Sequence, residues 1–425
     1  MKSNNLALNT LDLLYLCMGD SCPSKLIRDQ VIYEKESFLL GNQKITDFDR
    51  IYVVGLGKAS LKMYEGLVEV IGENYIEKAI LVTHINDHKY QFKNTEIIIS
   101  SHPYITDKSQ LAAKKLINFV NKTNKKDLLI GLISGGGSAM VALPIDSVSL
   151  AEKVELISKV LIAGIPEREA NEIKKTLSKI KGGGLSSSSK SSQILNLFLS
   201  DERNHKFSAI ASGPLTERRK VDSYSIIKKY NIQAIFPDDI LSFIRYQSNQ
   251  IDEGNRNVIN NFLIGSRENL ITALKIKATD YQFKKTFSLG NLFNISPDDA
   301  ASYLIKNYLK IYESAKLGLN LIIATGEIQV AIDKPQLAKG GRNQHLTALM
   351  MIKSRFNFPF CFIAYATDGM DFLSGIAGAY YTNDHIDMIK NISNEIKKSI
   401  SMNQSYNIHR DLNTLITSEK TGNNL

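Results

Sequence analysis

Two cations stand beside glycines and two acids stand at the ends of apolar runs, and their types suit phosphate chemistry. Lys58 follows the glycines of Val54-Gly55-Leu56-Gly57-Lys58-Ala59-Ser60, and Arg342 follows the pair in Gly340-Gly341-Arg342-Asn343-Gln344. Asp201 closes the apolar run 194–199 through Ser200, and Asp368 follows the run 360–365 in Thr367-Asp368-Gly369-Met370-Asp371. Phosphoryl transfer needs these parts: cations on the phosphate oxygens, carboxylates for Mg²⁺ or for the attacking hydroxyl, and backbone N–H groups as a cradle. The candidate cradle is Ser134, Gly135, Gly136, Gly137 and Ser138, directly after the apolar run 129–133. Glycines let a backbone approach a ligand closely, and a helix starting after them offers unpaired amides to an anion. Lys181 precedes three more glycines, with Asn171, Lys174 and Lys175 on the helix before it. His102, held extended by Pro103, stands at another strand end. Each residue alone has a plain structural reading: a solvated lysine or arginine at a helix start, or an aspartate that caps or turns. Their joint occurrence points to chemistry.

Positioning these groups requires strands alternating with helices. Apolar runs at 51–54, 79–82, 96–99, 129–133 and 194–199 read as buried parallel strands, because nothing in them alternates toward water. Helices are expected at 7–18, up to about Val120 from a cap at Asp107, at 148–163, at 167–180, and twice within 215–248. That alternation specifies an α/β fold with a doubly wound, Rossmann-like sheet, which binds ligands at the carboxyl ends of its strands. The serine-rich stretch 186–192 reads as a mobile surface loop. A polar stretch at 249–254 places the domain boundary, giving an N-terminal domain over 1–250 and a smaller α/β domain over 255–425. In the second half, 262–266, 321–327 and 360–365 read as strands, 328–332 as a strand pairing back in a hairpin, and 297–315 and 342–351 as helices.

Composition narrows the function classes. The chain has 425 residues, too many for one ordinary core, and its 43% hydrophobic content is that of a globular protein. No apolar run is long enough to span a membrane, and 11–18 lacks the flanks of a leader, so the cytoplasm is the expected location. The net charge of +9 is scattered among acids. A nucleic-acid reader would concentrate it in a stripe, so the excess implies mild attraction for anionic substrates instead. Three cysteines and seven histidines show no metal spacing and no disulfide framework.

Taken together, these stretches resemble the type-II glycerate kinases, the glycerate 2-kinase family with a MOFRL C-terminal domain. The resemblance rests on 54–60, Ser101-His102-Pro103, 132–139, Lys181-Gly182-Gly183, Leu199-Ser200-Asp201, 210–214, Gly326-Glu327, 340–344, 366–371 and Ala377-Gly378-Ala379. It implies two α/β domains with the active site in the cleft between them, and transfer of phosphate from ATP to D-glycerate with Mg²⁺, giving 2-phosphoglycerate. Lys58, Asp201, Arg342 and Asp368 fall on catalytic positions, and Asp201 and Asp368 on those that would hold the metal. Ser134, Gly135, Gly136, Gly137, Ser138, Lys181 and Gly341 fall on nucleotide-binding positions. The implied partners are small molecules, with neither nucleic acid nor membrane, and a homodimer is one option. The sequence departs from the family pattern at 202–205, at Phe372 in place of a glycine, at Gly375 in place of an acid, and at Lys174 and Thr176. The rival readings are a divergent paralogue that binds without turnover, a kinase of another small hydroxy acid, and a hydroxypyruvate reductase. A reductase needs a dinucleotide turn, whose third glycine is here Ser60, and an acid some twenty residues on, where Glu69 and Glu73 read as helix surface.

Overall fold

The computed structural model describes residues 3–86, 90–201, 205–218, 222–249, 257–293, 295–315, 318–332, 337–423 and 425. The chain divides into two compact units, Pro23–Ser266 and a second that joins Met1–Cys22 to Arg267–Asn423.

The first unit is built on six strands: β1 (Arg50–Leu56), β2 (Ile76–Thr83), β3 (Thr95–Ile99), β4 (Asp127–Ile133), β5 (Gln193–Ser200) and β6 (Val258–Ser266). All pairings are parallel and the order is β3-β2-β1-β4-β5-β6. The order reverses direction between β1 and β4, so the turns that leave these two strands lie side by side at their carboxyl ends, where such sheets bind ligands. Every residue of β4 is buried, as a strand covered on both faces must be. Helices α1 (Ser60–Ile71) and α2 (Asp107–Val120) follow β1 and β3. The α2 residues Ala112, Ala113, Leu116 and Val120 pack on Val54, Val82 and Leu129. At the opposite end, Arg50 grips the buried Asp127 with two hydrogen bonds of 2.9 and 3.0 Å, fixing β1 against β4. A second core gathers Val160 of α3 (Leu150–Ile162), Ile173 of α4 (Glu167–Thr176), and Ile227 and Ile244 from two further helices.

In the second unit, β7 (Phe283–Phe293) pairs parallel with β8 (Leu319–Glu327). An antiparallel meander comprises β9 (Cys361–Tyr365), β10 (Ile376–Thr382) and β11 (Leu415–Thr417). Helices α5 (Pro297–Ser314) and α6 (Arg342–Lys353) share a core of Ala300, Leu304, Met350, Phe362 and Tyr381, and α7 (Ser405–Asp411) adds Ile408. The N-terminal helix, Ser3–Asp20, belongs here too, with Leu6, Leu13 and Cys17 packed on Leu270, Leu274 and Leu321.

Several expectations change. The strand at 262–266 is the end of β6, which completes the first sheet, so the division falls after Ser266 rather than at 249–254; residues 250–256 lie outside the described residues. No strand forms at 328–332; β8 pairs with β7, so the hairpin is absent there. The serine stretch is no loose loop. Gly184–Ser188 is helical, Ser186 and Ser191 are buried, and the Ser191 hydroxyl lies 2.6 Å from the Gln193 carbonyl. The cap of α2 is Thr106, with Asp107 as the first helical residue. Among the described residues no helix is long and apolar enough to cross a membrane.

Candidate active site

The turns after β1 and β4 interlock, and they differ in what their amides do. In the first, Gly57 donates to the Val82 carbonyl (3.1 Å), Lys58 to that of Gly135 (3.0 Å), Ala59 to the Ser134 hydroxyl (3.0 Å) and Ser60 to the Gly57 carbonyl (3.3 Å). Every amide from 57 to 60 is therefore engaged. A Cβ on Gly57 would collide with the carbonyls of Ser134 and Gly135, so the close approach of the turns demands glycine. In the second turn, the amides of Gly135, Gly136, Gly137 and Ser138 donate no hydrogen bond among the described residues. Consecutive unpartnered amides around a left-handed residue, here Gly136 at φ 80°, form a concave nest for an anion. The bare α-carbon of Gly136 faces the Lys58 side chain, whose Cγ would lie 3.0 Å from a Cβ there, and the His102 ring, at 3.2 Å. The His84 ring stands 5.5 Å from that of His102. Lys58 thus contributes its side chain, not its amide, beside the nest.

Lys181 meets the same turn from the other side. Its ammonium donates to the Ser138 carbonyl (2.7 Å) and hydroxyl (2.8 Å), and that hydroxyl lies 2.8 Å from the Ser212 hydroxyl. Backbone bonds from Gly182 to Ser212 (2.9 Å) and from Gly183 to Gly213 (2.8 Å) hold 181–185 against 212–214. Ala211 and Ser212 have φ of 51° and 64°, a left-handed backbone that costs non-glycine residues about 1–2 kcal/mol each. Asp201 stands half-buried at the carboxyl end of β5, beside buried Ser200, whose hydroxyl lies 2.9 Å from Nδ1 of His205. The departures at 202–204 lie outside the described residues.

The second unit holds Gly341, Arg342 and Asp368. Arg342 is the first residue of α6 and pairs with Glu327 at the end of β8. The amides that open α6 already have an anion. Asp371 accepts from the Asn343 amide (3.0 Å) and Nδ2 (3.1 Å) through Oδ1, and from the Gln344 amide (2.9 Å) and Nε2 (3.0 Å) through Oδ2. Burial pushes the Asp371 carboxyl above its ordinary range even though these four donors pull it down. A Cβ on Gly341 would overlap the Asp371 carboxyl, so this glycine makes room for Asp371. The amides of 343 and 344 are therefore taken by the protein's own carboxylate. Asp368 accepts the Met370 amide at Oδ1 (3.1 Å), and its carbonyl accepts the Thr421 amide (3.2 Å). Beneath α6, the buried His409 places Nε2 2.8 Å from the Gln344 carbonyl and Nδ1 2.8 Å from the Thr414 hydroxyl. Nε2 therefore carries the proton and Nδ1 accepts, and burial pushes the imidazole down to about 4.

Lys58, Ser134, Gly135, Gly136, Gly137, Ser138 and Lys181 come together at the β1/β4 switch point, with Asp201 on the same edge of the sheet. Gly341, Arg342 and Asp368 form a separate set in the second unit. Sequence reasoning missed Ser212, Glu327 and Asp371 as parts of these sets. Asp371 had a signal in the repeated acid of Asp368-Gly369-Met370-Asp371, and Glu327 and Ser212 lay within the matched stretches Gly326-Glu327 and 210–214; that Ser212 meets Ser138 had no signal, since the two are distant in sequence.

Comparison with known proteins agrees with this architecture. The family model described as a domain of unknown function, DUF4147, matches residues 10–245, and that of the MOFRL family matches 320–425. The glycerate 2-kinase of Picrophilus torridus is 29% identical, covering 92% of this chain and 89% of its own. The D-glycerate 2-kinase of Thermotoga maritima is 25% identical, covering 89% of each. Among solved structures, a glycerate kinase from Thermotoga maritima superposes with a TM-score of 0.79 at 23% identity, over 99% of this chain and 97% of that one. A Pyrococcus horikoshii protein does so with a TM-score of 0.75 at 24% identity, over 99% and 96%. The two structures speak for the fold, and the sequence matches for descent: the chain belongs to the DUF4147 family and carries a MOFRL domain over 320–425.

Proposed function

We propose that this protein is a glycerate 2-kinase that transfers the γ-phosphoryl group of ATP to the 2-hydroxyl of D-glycerate. The observation that carries the reading is the nest of unpartnered amides at 135–138 with the Lys58 side chain beside it, at the carboxyl edge of the parallel sheet. Similarity along about nine-tenths of the chain to proteins named as glycerate 2-kinases supports it. The nest cradles phosphate oxygens, and Lys58 and Arg342 stabilise the charge that spreads over the transferred group. Asp201 orients the 2-hydroxyl and receives its proton.

Mg²⁺ fits this scheme. Among the described residues no three His, Cys, Asp or Glu side chains gather as a metal cage. Mg²⁺ does not need one, because it is held by one or two carboxylates together with substrate phosphates and water. Asp201 and Asp368 would hold it, and it would neutralise charge on the phosphates.

The reductase reading loses support at the β1 turn. A dinucleotide places its pyrophosphate on the amides there, but all four from 57 to 60 are already engaged.

The test is a coupled assay with ATP, Mg²⁺ and D-glycerate, the product isomer being identified by NMR. The expected product is 2-phosphoglycerate. Lys58→Ala and Asp201→Asn are each expected to lower kcat by about 10²-fold or more. Near-normal turnover in either variant removes that residue from the mechanism, and absence of product with ATP bound leaves a paralogue that binds without catalysis.

A further inference from the structure

Residues 418–423 follow β11 without helix or strand, yet they are tied down at both ends and, between them, to the turn that carries Asp368. At the near end the Ser418 amide donates to the Gly375 carbonyl (3.2 Å). At the far end Asn423 is 2% exposed, and its Nδ2 donates to the Ser21 carbonyl (3.2 Å), just past the N-terminal helix. Between the two, Thr421 meets two consecutive carbonyls of the turn 366–369. Its amide donates to Asp368 (3.2 Å) and its hydroxyl to Thr367 (2.6 Å). The same hydroxyl accepts the Asn423 amide (3.1 Å). A Cβ on Gly369, whose φ is 79°, would lie 2.2 Å from the Glu419 carbonyl oxygen, so the segment runs directly against the turn.

The turn has bonds of its own. The Gly369 amide closes it onto the Ala366 carbonyl (2.9 Å), and the Met370 amide holds Oδ1 of Asp368 (3.1 Å). Those two bonds leave the carbonyls of 367 and 368 unused, and Thr421 supplies a donor to each. Aspartate has one methylene between carboxyl and backbone, so its oxygens follow the peptides at 367–369. We propose that Thr421 is a positioning residue for Asp368, and that 418–423 is a strap that keeps this carboxylate where the transfer step needs it. The proposal rests on the kinase reading, in which Asp368 holds Mg²⁺ beside the phosphates. A group displaced by about 1 Å from its working position can cost about 10²-fold in rate. The strap works through the Thr421 hydroxyl, because that one group joins the turn to Asn423 and, through Asn423, to Ser21.

The test pairs Thr421→Val, which keeps the shape and the amide but loses the hydroxyl, with Thr421→Ser, which keeps the hydroxyl. Amide hydrogen exchange of the whole protein is followed at Gly369 and Met370, and turnover with ATP, Mg²⁺ and D-glycerate is measured on the same samples. The Met370 amide bonds the Asp368 carboxylate itself, so its exchange reports how firmly that carboxylate is held with no ligand present. Thr421→Val should exchange at both amides about tenfold faster and lose about tenfold or more in kcat, and Thr421→Ser should restore both. The parent's exchange at both amides in Thr421→Val overturns the proposal. So does faster exchange with the parent's turnover in an active protein, since the turn is then held for stability alone, and so does a serine variant that behaves like the valine one. The two readings fail separately. Faster exchange in Thr421→Val of a protein whose parent makes no 2-phosphoglycerate removes the kinase and keeps the strap, and product with unchanged exchange does the reverse.

Discussion

The turn after β4 and the start of α6 share a sequence signature, glycines running into a helix, and they have opposite electrostatic states. At 135–138 four amides have no partner among the described residues, and a lysine side chain stands beside them. At 342–344 the amides of Asn343 and Gln344 are saturated by Asp371, and Gly341 is small so that this carboxylate fits. One turn is open to an external anion; the other contains its own. A glycine pair before a helix therefore says nothing about ligand binding until the owner of the amides is known. At the start of α6 the Arg342 side chain is itself already paired with Glu327.

The sharpest way to break the comparison is to remove the built-in anion. Asp371→Ala takes the acceptor from the Asn343 and Gln344 amides and from Asn343 Nδ2, while Gln344 Nε2 keeps the Asp371 main-chain carbonyl (3.0 Å), and it should cost the second unit about 3 kcal/mol in denaturant unfolding. Gly341→Ala forces Asp371 away and should lose a comparable share. If both variants unfold like the parent, the amides of α6 are available after all and the contrast with 135–138 disappears.

Acid should produce the next largest effect, again confined to the second unit. His409 ties α7 to the Gln344 carbonyl as a neutral imidazole held down to about 4. Its folded value lies below its unfolded one, so its contribution is complete above about pH 6.5 and is lost as pH falls toward 4. The loss is on the order of 3 kcal/mol. Stability measured between pH 7 and 4 should show this slope, and His409→Gln should flatten it. A variant with the parent's slope assigns the acid sensitivity to other groups.

The Gly136→Ala substitution separates function from stability. The left-handed backbone costs about 1–2 kcal/mol, less than the loss at Gly341. The new methyl would press on Lys58 and His102, so kcat/KM should fall about tenfold to a hundredfold. Equal stability losses at Gly136 and Gly341 with normal turnover in both would show that neither turn addresses the substrate.

What could be read from the sequence follows from how local each feature is. The runs that became β1, β2, β4 and β5 are buried on both faces, and an unbroken apolar run is a local signal. β6 also reads as a strand, but its sheet depends on its pairing with β5, which no local pattern encodes. β7 escaped notice because Phe283-Lys284-Lys285-Thr286-Phe287 mixes exposed lysines with apolar residues. The charges Lys58, Asp201, Arg342 and Asp368 were visible because glycines or short turns mark them. The state of the amides was not, since Ser134 bonding Ala59 and Asp371 bonding Gln344 are contacts between segments distant in sequence. The serine stretch misled for the same reason: a hydroxyl that finds a buried partner, as Ser191 does, looks in sequence like one that faces water.

The smallest effect concerns Phe372, one residue beyond the carboxylate that seals α6. Its φ of 70° lies in the left-handed region, and its side chain is 60% exposed. A bulky residue there costs about 1–2 kcal/mol, and so exposed a ring recovers little of it through burial. Phe372→Gly relieves that cost but gives the unfolded chain about 0.5–1 kcal/mol more entropy to lose. The net expectation is a gain of about 0.5 kcal/mol, a rise in Tm of about 1–2 °C. The substitution lies beside Asp371 without touching its four donors, so it leaves the sealed helix start intact and asks only whether the ring contributes to turnover. Higher Tm with lower turnover would mean that the strained phenyl ring touches substrate. Higher Tm with unchanged turnover would mean that the ring has no part in turnover, and lower Tm would show that the ring's contacts outweigh its backbone strain.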